Sequence, residues 1–219
     1  MSASSVASPP RIAADERVVL RRVSWDTYER LLADDEGRRV PRMTYDRGVL
    51  ELVTPSMPHE TDAATITRIV DIVSANLGMP VQSTAATTFR RPELERGFEA
   101  DASFYIQSEK RIRGQREVDL TVDPPPDLVL EMEMSRSALD KLALFAAMGI
   151  PEVWRSDGER ISMFVLDQGR YRESPASLAL PVLTSEVLNR FLAESRTMLS
   201  PDWFRMVGDW AREQRDVPE

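Results

Sequence analysis

The segment PPPDLVLEMEMS, residues 124–135, constrains the fold of this chain more than any other. Its apolar residues after three prolines predict a strand in the protein interior. Side chains of an extended strand alternate between two faces. One face carries Leu128, Leu130, Met132 and Met134, and the other carries Asp127, Val129, Glu131 and Glu133. The fold therefore has to accommodate three carboxylates on one face of a core strand.

Composition narrows the class of protein. The chain has 219 residues, enough for one domain with a substantial core, and it has no cysteine, which excludes disulfides and thiolate metal sites. This is compatible with the cytoplasm, where we expect the protein to be located. The net charge of −8 argues against a broad electrostatic footprint on nucleic acid, although it leaves room for a compact cationic channel. No apolar run approaches the roughly 18–20 residues of a membrane span, so we expect no membrane partner.

Hydrophobic periodicity predicts a mixed α/β domain. The first predicted helix follows the cap residue Ser24. Four more are predicted over about residues 59–77, 137–148, 184–194 and 201–212. The predicted strands are a hairpin around Asp46-Arg47-Gly48 and the segments VQSTAATTFRR, FEADASFYI, DLVLEMEM, PEVWRS, RISMFVL and RYRES. We expect residues 1–17 to be a disordered leader without a secretory signal, residues 18–196 to be the domain, and residues 197–219 to be a C-terminal helical extension.

Glu131 and Glu133 raise an electrostatic question. In an ideal strand they lie about 6.5–7 Å apart. At an effective dielectric constant near 20, two unit charges at that separation repel by roughly 2 kcal/mol. Such a face needs a cation, a bound proton or open water. One interpretation is a solvated face of an antiparallel sheet, and the other is a site that binds a cation.

Asp101 and Lys141 favour the cation site. Asp101 belongs to the preceding strand candidate, and strands that are neighbours in sequence are often neighbours in space, so it could converge with Glu131. Oxygen ligands without a His or Cys cluster suit Mg²⁺ or Mn²⁺. Lys141, one of two lysines, follows on the next predicted helix, where its ammonium would either extend to water or reach back toward the carboxylates. A divalent ion beside an ammonium group is typical of a phosphodiester-cleaving site.

Four stretches together resemble a known family. They are STAATTF, EADASFYIQ, DLTVDPPPDLVLE and MGIPEVWR. These stretches resemble the Uma-two family, a restriction-endonuclease-like branch of the PD-(D/E)XK nuclease superfamily, over about residues 24–192. The resemblance implies a mixed β-sheet flanked by helices, here with an N-terminal helix and hairpin, and acidic residues on adjacent strands.

The resemblance also implies roles for single residues. Asp101 matches the first motif aspartate and Glu131 the motif glutamate, and both would hold Mg²⁺ or Mn²⁺. The superfamily pattern expects a lysine two positions later, where this chain has Glu133. The family carries that lysine on the following helix, at a place that matches Lys141. Glu133 would then be either an additional metal ligand or a residue at the rim of the site.

His59 and Glu60 open the long predicted helix, where the family carries a histidine or an acidic residue. Helical periodicity turns His59 toward the core and Glu60 away from it by about 100°. His59, the sole histidine, is either an auxiliary site residue or a hydrogen-bonded core residue. Glu60 is either auxiliary to the site or complements the helix dipole.

The function that these residues favour is metal-dependent cleavage of phosphodiester bonds, and the resemblance implies DNA as the substrate. The alternative is a catalytically inactive member of the fold that binds nucleic acid or protein, which the acidic composition and Glu133 favour. A weaker option is a hydrolase that acts on a different phosphate ester, because no residue singled out in the sequence reads a base edge. Arginines of EKRIRGQR, together with Arg90 and Arg91, would either contact a phosphate backbone or pair with neighbouring acids.

The last predicted helix suggests an oligomeric state. It carries an apolar set, Trp203, Phe204, Val207 and Trp210. These residues would either dock onto the domain or cover a partner surface. We expect them to be exposed and the protein to form a homodimer, because a restriction-type nuclease acts on a duplex with two strands.

Overall fold

A computed structural model describes residues 15–34, 41–134 and 137–215. Over these residues the chain forms two β-sheets and six α-helices, which confirms the predicted mixed α/β class with its N-terminal helix and hairpin. The helices are α1 (Trp25–Asp34), α2 (Met57–Leu77), α3 (Glu109–Ile112), α4 (Lys141–Met148), α5 (Ser185–Ser195) and α6 (Ser200–Arg215), with a 3₁₀ turn at Pro92–Leu94. The strands are β1 (Glu16–Arg21), β2 (Arg42–Asp46), β3 (Val49–Thr54), β4 (Gln82–Ser83), β5 (Thr88–Arg91), β6 (Arg96–Glu99), β7 (Ala102–Tyr105), β8 (Leu128–Met132), β9 (Glu152–Ser156), β10 (Ile161–Asp167) and β11 (Arg170–Ser174).

The strands divide between an antiparallel and a mixed sheet. The five-stranded sheet has the order β1-β3-β2-β6-β5 and is antiparallel throughout. The six-stranded sheet has the order β11-β10-β9-β8-β7-β4, and its β8–β9 pair is parallel, with α4 as the crossover. The six-stranded sheet is the mixed sheet that the resemblance implies. The separate five-stranded sheet is a feature that sequence analysis missed.

Two predicted strands contribute to both sheets. VQSTAATTFRR is interrupted by a turn in which the Thr87 amide donates to the Thr84 carbonyl and Ala85 has a φ of 48°, so it yields β4 and β5. FEADASFYI is interrupted at Asp101 and yields β6 and β7. Asp101 therefore lies where the chain passes from one sheet to the other.

The predicted alternation along β8 is confirmed. Leu128, Leu130 and Met132 pack into a core with residues of α2, α5 and α6, whereas Val129 belongs to a second cluster with Phe145 of α4. Both faces of β8 are buried, and a solvated carboxylate face is therefore wrong.

The helix that covers the carboxylate face begins later than predicted. Ser137 and Ala138 donate their amide N–H groups to the carboxylates of Glu133 and Glu51 instead of entering the helix. The Asp140 side chain then accepts a hydrogen bond from the Ala143 amide, which caps the first turn of α4. Lys141 consequently becomes the first residue of α4, directly above the strand that carries Glu131.

The last helix docks onto the same domain. Trp203 and Val207 are buried, and Trp203 donates its indole N–H to the Phe191 carbonyl at 2.8 Å. Trp210 is half-buried against the Phe191 ring, while Phe204 is 43% exposed. The expectation that α6 exposes all four of these residues is wrong, because most of the set completes the core under α2 and α5.

The structure describes residues 15–17 of the predicted leader. Residues 1–14 lie outside the described part of the chain. Asp15 is buried, and β1 begins at Glu16 and pairs with β3 along its whole length. No described helix combines the length and the apolar character that crossing a bilayer requires.

Candidate active site

Asp101 and Glu131 meet at the junction of the two sheets. The Asp101 amide donates to the Leu130 carbonyl at 3.2 Å, and its Oδ2 accepts the Met132 amide N–H at 2.6 Å. Two hydrogen bonds thus fix Asp101 against the residues on either side of Glu131. The two carboxylates predicted from sequence are brought together by main-chain geometry, because Asp101 directly precedes β7, which pairs with β8.

Lys141 points at this pair. Its Nζ donates to Glu131 Oε1, and the two side chains are 10% and 6% exposed. Of the two orientations that the sequence left open, the ammonium therefore adopts the one that reaches back over the strand. Glu131 Oε2 accepts no hydrogen bond from any described residue, so one oxygen of this carboxylate remains available.

His59 and Arg42 share one oxygen of Asp101. His59 Nε2 lies 2.7 Å from Asp101 Oδ1, and Arg42 Nη1 forms an ion pair with the same atom. The other ring nitrogen of His59, Nδ1, lies 2.9 Å from the Asp15 carboxylate. His59 is therefore a buried, hydrogen-bonded residue that contacts Asp101, and its role as an auxiliary site residue stays a prediction.

Arg42 is a residue that sequence analysis missed. Besides Asp101 it contacts His59 Nε2 at 3.0 Å and Glu60 Oε1 at 2.7 Å. Glu60, with a half-exposed side chain, thus joins the site through Arg42. The sequence alone contains no signal for Arg42, because arginines are mostly exposed and only the structure shows that this one is buried among anionic partners.

Glu51 on β3 was missed as well. Its side chain has no exposed surface, forms an ion pair with Arg17, and accepts hydrogen bonds from the Ala138 amide at 2.8 Å and from the Ser137 hydroxyl. Glu51 thereby holds the segment that precedes α4 and Lys141. The sequence signal was the acidic residue between two leucines, a pattern like that around Glu131.

Glu133 has different partners from those of Glu131. It accepts the Ser137 amide at 3.0 Å and lies 3.8 Å from Arg155. Among the described residues it shares no hydrogen-bond partner with Asp101 or Glu131. This arrangement favours the rim interpretation, and the role of Glu133 stays a prediction.

Asp127, the remaining carboxylate of the opening strand, is structural. Its oxygens accept the amides of Ile106 and Ser108 at 2.7 and 2.9 Å and the Ser108 hydroxyl at 2.5 Å. Three donors saturate this carboxylate and fix the turn before α3.

The protonation equilibria of the two site carboxylates diverge. Burial, supported by the nearby charge of Asp101, raises the pKa of Glu131 to about 7 against the opposing effect of the Lys141 ammonium. Burial alone would also raise the pKa of Asp101, but the His59 hydrogen bond and the Arg42 charge outweigh it and hold that pKa below its usual value. The surrounding groups therefore keep Asp101 anionic, whereas the positive charge near Glu131 does not offset the effect of its burial.

The basic groups of the site are stabilised in their charged forms. Burial alone would lower the pKa of Lys141, but the charge and hydrogen bond of Glu131 and the charge of Asp101 raise it. Burial would likewise lower the pKa of His59, whereas its hydrogen bonds to Asp101 and Asp15 raise it.

A cleft opens beside Asp101. Its volume is about 590 Å³, and we call it the α2 cleft because one wall is a face of α2. It is lined by Arg42, Pro55, Glu60, Ala63, Ala64, Thr67, Arg68, Ser83, Ala85, Ala86, Asp101 and Ala102. A substrate entering this cleft would reach the Asp101 side of the site.

The predicted surface arginines are mostly paired. Arg91 and Arg113 form ion pairs with Glu93 and Glu109, and Arg90 lies 3.9 Å from Glu29. The pairing alternative that the sequence left open thus applies to these three arginines.

A protein family and a solved structure are similar to this chain. The sequence profile of the Uma2 (Uma-two) family, described as "Putative restriction endonuclease", matches residues 25–193. No curated protein matches the chain. A crystal structure from Anabaena variabilis, titled as that of "a putative nuclease belonging to DUF820", is 16% identical, with a TM-score of 0.47 over 69% of this chain and 92% of that chain.

Proposed function

The chain belongs to the Uma2 family, and on that premise we propose that it is a metal-dependent nuclease that hydrolyses phosphodiester bonds in DNA. Asp101 and Glu131 would hold a divalent ion, Mg²⁺ or Mn²⁺. Lys141 would act on the phosphate under attack. Glu133, His59 and Glu60 would support the site from its periphery.

The observation that carries the proposal is the buried group of Asp101, Glu131 and Lys141 next to the α2 cleft. Two carboxylates and an ammonium, each at most 10% exposed, are costly to bury and add nothing that an apolar core would not supply. Perturbed ionisable groups beside a cleft are typical of functional sites.

The carboxylates fit a divalent ion. Described residues hold no cluster of three His, Cys, Asp or Glu side chains that could form a complete protein cage. Mg²⁺ does not need one, because it is commonly bound by one or two carboxylates together with water and substrate phosphate. The raised pKa of Glu131 supports the assignment, since a carboxylate beside a second carboxylate gains from a nearby cation. A bound ion would polarise the phosphodiester and make water more acidic.

Lys141 would supply a fixed positive charge. Its ammonium is held at Glu131 by α4, a short helix whose first turn is capped by Asp140. A preorganised cation in a buried site stabilises the negative charge that develops on a phosphate under attack, and it does so without reorganisation. Lys141 would thus perform the task that the superfamily pattern gives to a lysine on the strand.

His59 and Arg42 would orient Asp101. Their contacts with Oδ1 and the Met132 amide contact with Oδ2 leave the carboxylate little freedom to rotate. Asp15 in turn fixes His59. This chain of contacts keeps Asp101 ionised and in one orientation, which metal ligands generally require.

A catalytically inactive member of the fold is the second candidate function. It is favoured by the pairing of each site carboxylate with a positive group of the chain itself, Asp101 with Arg42 and Glu131 with Lys141. Such a network balances its own charge without a metal. The protein would then bind nucleic acid or another protein through the same cleft.

Metal titration and DNA cleavage decide between the two. We expect calorimetric heats of Mg²⁺ or Mn²⁺ binding for the wild type, their loss in Asp101→Asn, and cleavage of a DNA duplex that requires the ion. Equal, negligible heats for both proteins would argue against the metal site. Cleavage that disappears in Glu131→Gln would exclude the inactive alternative.

We also propose a homodimer, now through a different surface. β1 is an edge strand of the five-stranded sheet and exposes Val18 and Leu20, at 53% and 41%. Exposed apolar residues on an edge strand favour pairing with another strand. Analytical ultracentrifugation would contradict this proposal if it gave a monomer at every concentration.

A further inference from the structure

The α2 cleft contains an arginine that the proposed cleavage chemistry does not use. Arg68 lies eight residues after Glu60 on α2, which corresponds to about 12 Å along a helix. Both residues line the cleft from its α2 wall, so Arg68 lies about 12 Å along that wall from Glu60, which contacts Arg42 beside Asp101.

Arg68 differs from the other arginine of the cleft. Arg42 is buried and held by Asp101 and Glu60, whereas Arg68 is exposed and forms no ion pair within the described part of the chain. A planar guanidinium without a protein partner is suited to bind a phosphate through two parallel hydrogen bonds.

The walls of the cleft carry small side chains. Alanines line both sides, from α2 and from the turn between β4 and β5, where Ala85 adopts its positive φ. Side chains that end at Cβ allow a ligand backbone to approach closely. None of the twelve described lining residues is aromatic, so a base would find no stacking surface there.

We propose that the α2 cleft binds the sugar–phosphate backbone of the DNA strand and that Arg68 contacts a phosphate other than the one that reacts. This inference rests on the proposed nuclease function, because the backbone must extend from Arg68 to Asp101. Contacts of this kind position the strand without reading its sequence. Arg68 is therefore a positioning residue, and its contribution to affinity decreases as salt increases.

A binding measurement in the Glu131→Gln background separates binding from cleavage. The probe is a fluorescent DNA duplex of about 20 base pairs, titrated with Mg²⁺ present at salt concentrations from about 50 to 200 mM. Arg68→Ala should bind about tenfold more weakly at low salt, and its plot of log affinity against log salt should be shallower by about 0.9. The substitution places alanine at an exposed helical position and should not impair folding.

Arg170→Ala is the matched control. Arg170 is also exposed and free of ion pairs among the described residues, and it lies on β11, at the opposite edge of the six-stranded sheet from β4. In the Glu131→Gln background, the Arg170→Ala variant should bind the duplex as tightly as the protein that carries Glu131→Gln alone. In otherwise wild-type protein, Arg68→Ala should raise KM for cleavage while kcat stays nearly constant.

The outcomes distinguish the two proposals. If the protein binds and cleaves DNA but Arg68→Ala and Arg170→Ala have equal affinity and equal salt dependence, the inference about Arg68 is wrong and the nuclease function stands. If the wild type neither binds nor cleaves the duplex, both are wrong.

Discussion

Glu131 and Glu152 lie on adjacent parallel strands, are both almost fully buried, and are held in opposite ways. Glu152 accepts hydrogen bonds from the Trp154 indole at 2.7 Å, the Ala179 amide at 2.8 Å and the Ser177 hydroxyl at 3.1 Å. All three donors are neutral and belong to the surrounding framework. Glu131 has instead a single charged donor, Lys141, and a second carboxylate nearby.

The difference separates a structural acid from a candidate catalytic one. Neutral donors saturate Glu152 and tie β9 to the segment that follows β11. Glu131 keeps an oxygen without a described donor and depends on charge that an external cation could supplement. Burial alone therefore does not distinguish the two carboxylates, whereas the identity of their hydrogen-bond partners does.

The sharpest test of this contrast is cleavage. Glu131→Gln should reduce the rate of DNA cleavage by at least about 10³-fold, because it removes the charge that binds the ion. Glu152→Gln, the matched control on the next strand, should retain the rate of the wild type per folded molecule. Comparable losses in both variants would erase the distinction between the two acids.

The effects on stability should have the opposite order, with Glu152→Gln lowering the free energy of unfolding more than Glu131→Gln. Glu152→Gln replaces one acceptor oxygen by an amide that cannot accept, so at least one buried donor loses its partner. The free energy of unfolding should fall by about 2–4 kcal/mol in urea titrations at neutral pH. A loss smaller than that of an exposed substitution such as Glu173→Gln would mean that Glu152 is not structural.

The pH dependence of Glu131 sharpens the comparison further. Because its pKa is about 7 in the folded protein and near 4.5 in the unfolded chain, the folded state binds the extra proton between these values. The wild type should therefore lose stability as pH rises through this window, whereas Glu131→Gln keeps a neutral side chain throughout. In EDTA, the variant should match the wild type near pH 4.5 and exceed it by roughly 2–3 kcal/mol above pH 7. A variant that is clearly less stable at pH 8 would contradict this account.

The smallest expected effect concerns the partner of Glu131. Lys141→Arg keeps the charge but replaces a compact ammonium by a planar guanidinium that presents its donors in a different geometry, so cleavage should fall about tenfold. The free energy of unfolding should change by less than about 1 kcal/mol, because helix propensity and charge are preserved. Lys110→Arg, at the only other lysine and exposed, is the control. Wild-type cleavage by Lys141→Arg would reduce Lys141 to a structural residue.

Local patterns in the sequence were sufficient for the main elements and for two site residues. Alternation along residues 127–134 identified β8 and its acidic face, and helical spacing identified α2 almost to the residue. Asp101 followed from the simple rule that consecutive strands are neighbours. These features depend on periodicity, which a single sequence contains.

The rest depended on contacts between distant segments. The separations along the chain are 44 positions between Asp15 and His59, 59 between Arg42 and Asp101, and 86 between Glu51 and Ser137. No local pattern encodes such pairings. The orientation of Lys141 was undecided for the same reason, since periodicity placed it at a helix edge and only the neighbouring Glu131 determines where the ammonium points. Asp101 and Ala85 interrupt segments of continuous strand propensity, so the second sheet was invisible as well.

The strand that precedes α1 has a consequence for anyone who wishes to shorten this protein. The family profile begins at residue 25, but Asp15 and Arg17 are inserted beneath the site from outside that boundary. A version trimmed to the profile would keep every predicted catalytic residue and yet remove the carboxylate at His59 Nδ1 and the ion-pair partner of the buried Glu51. A version of this protein cut at residue 25 would therefore be expected to misfold rather than to be merely inactive.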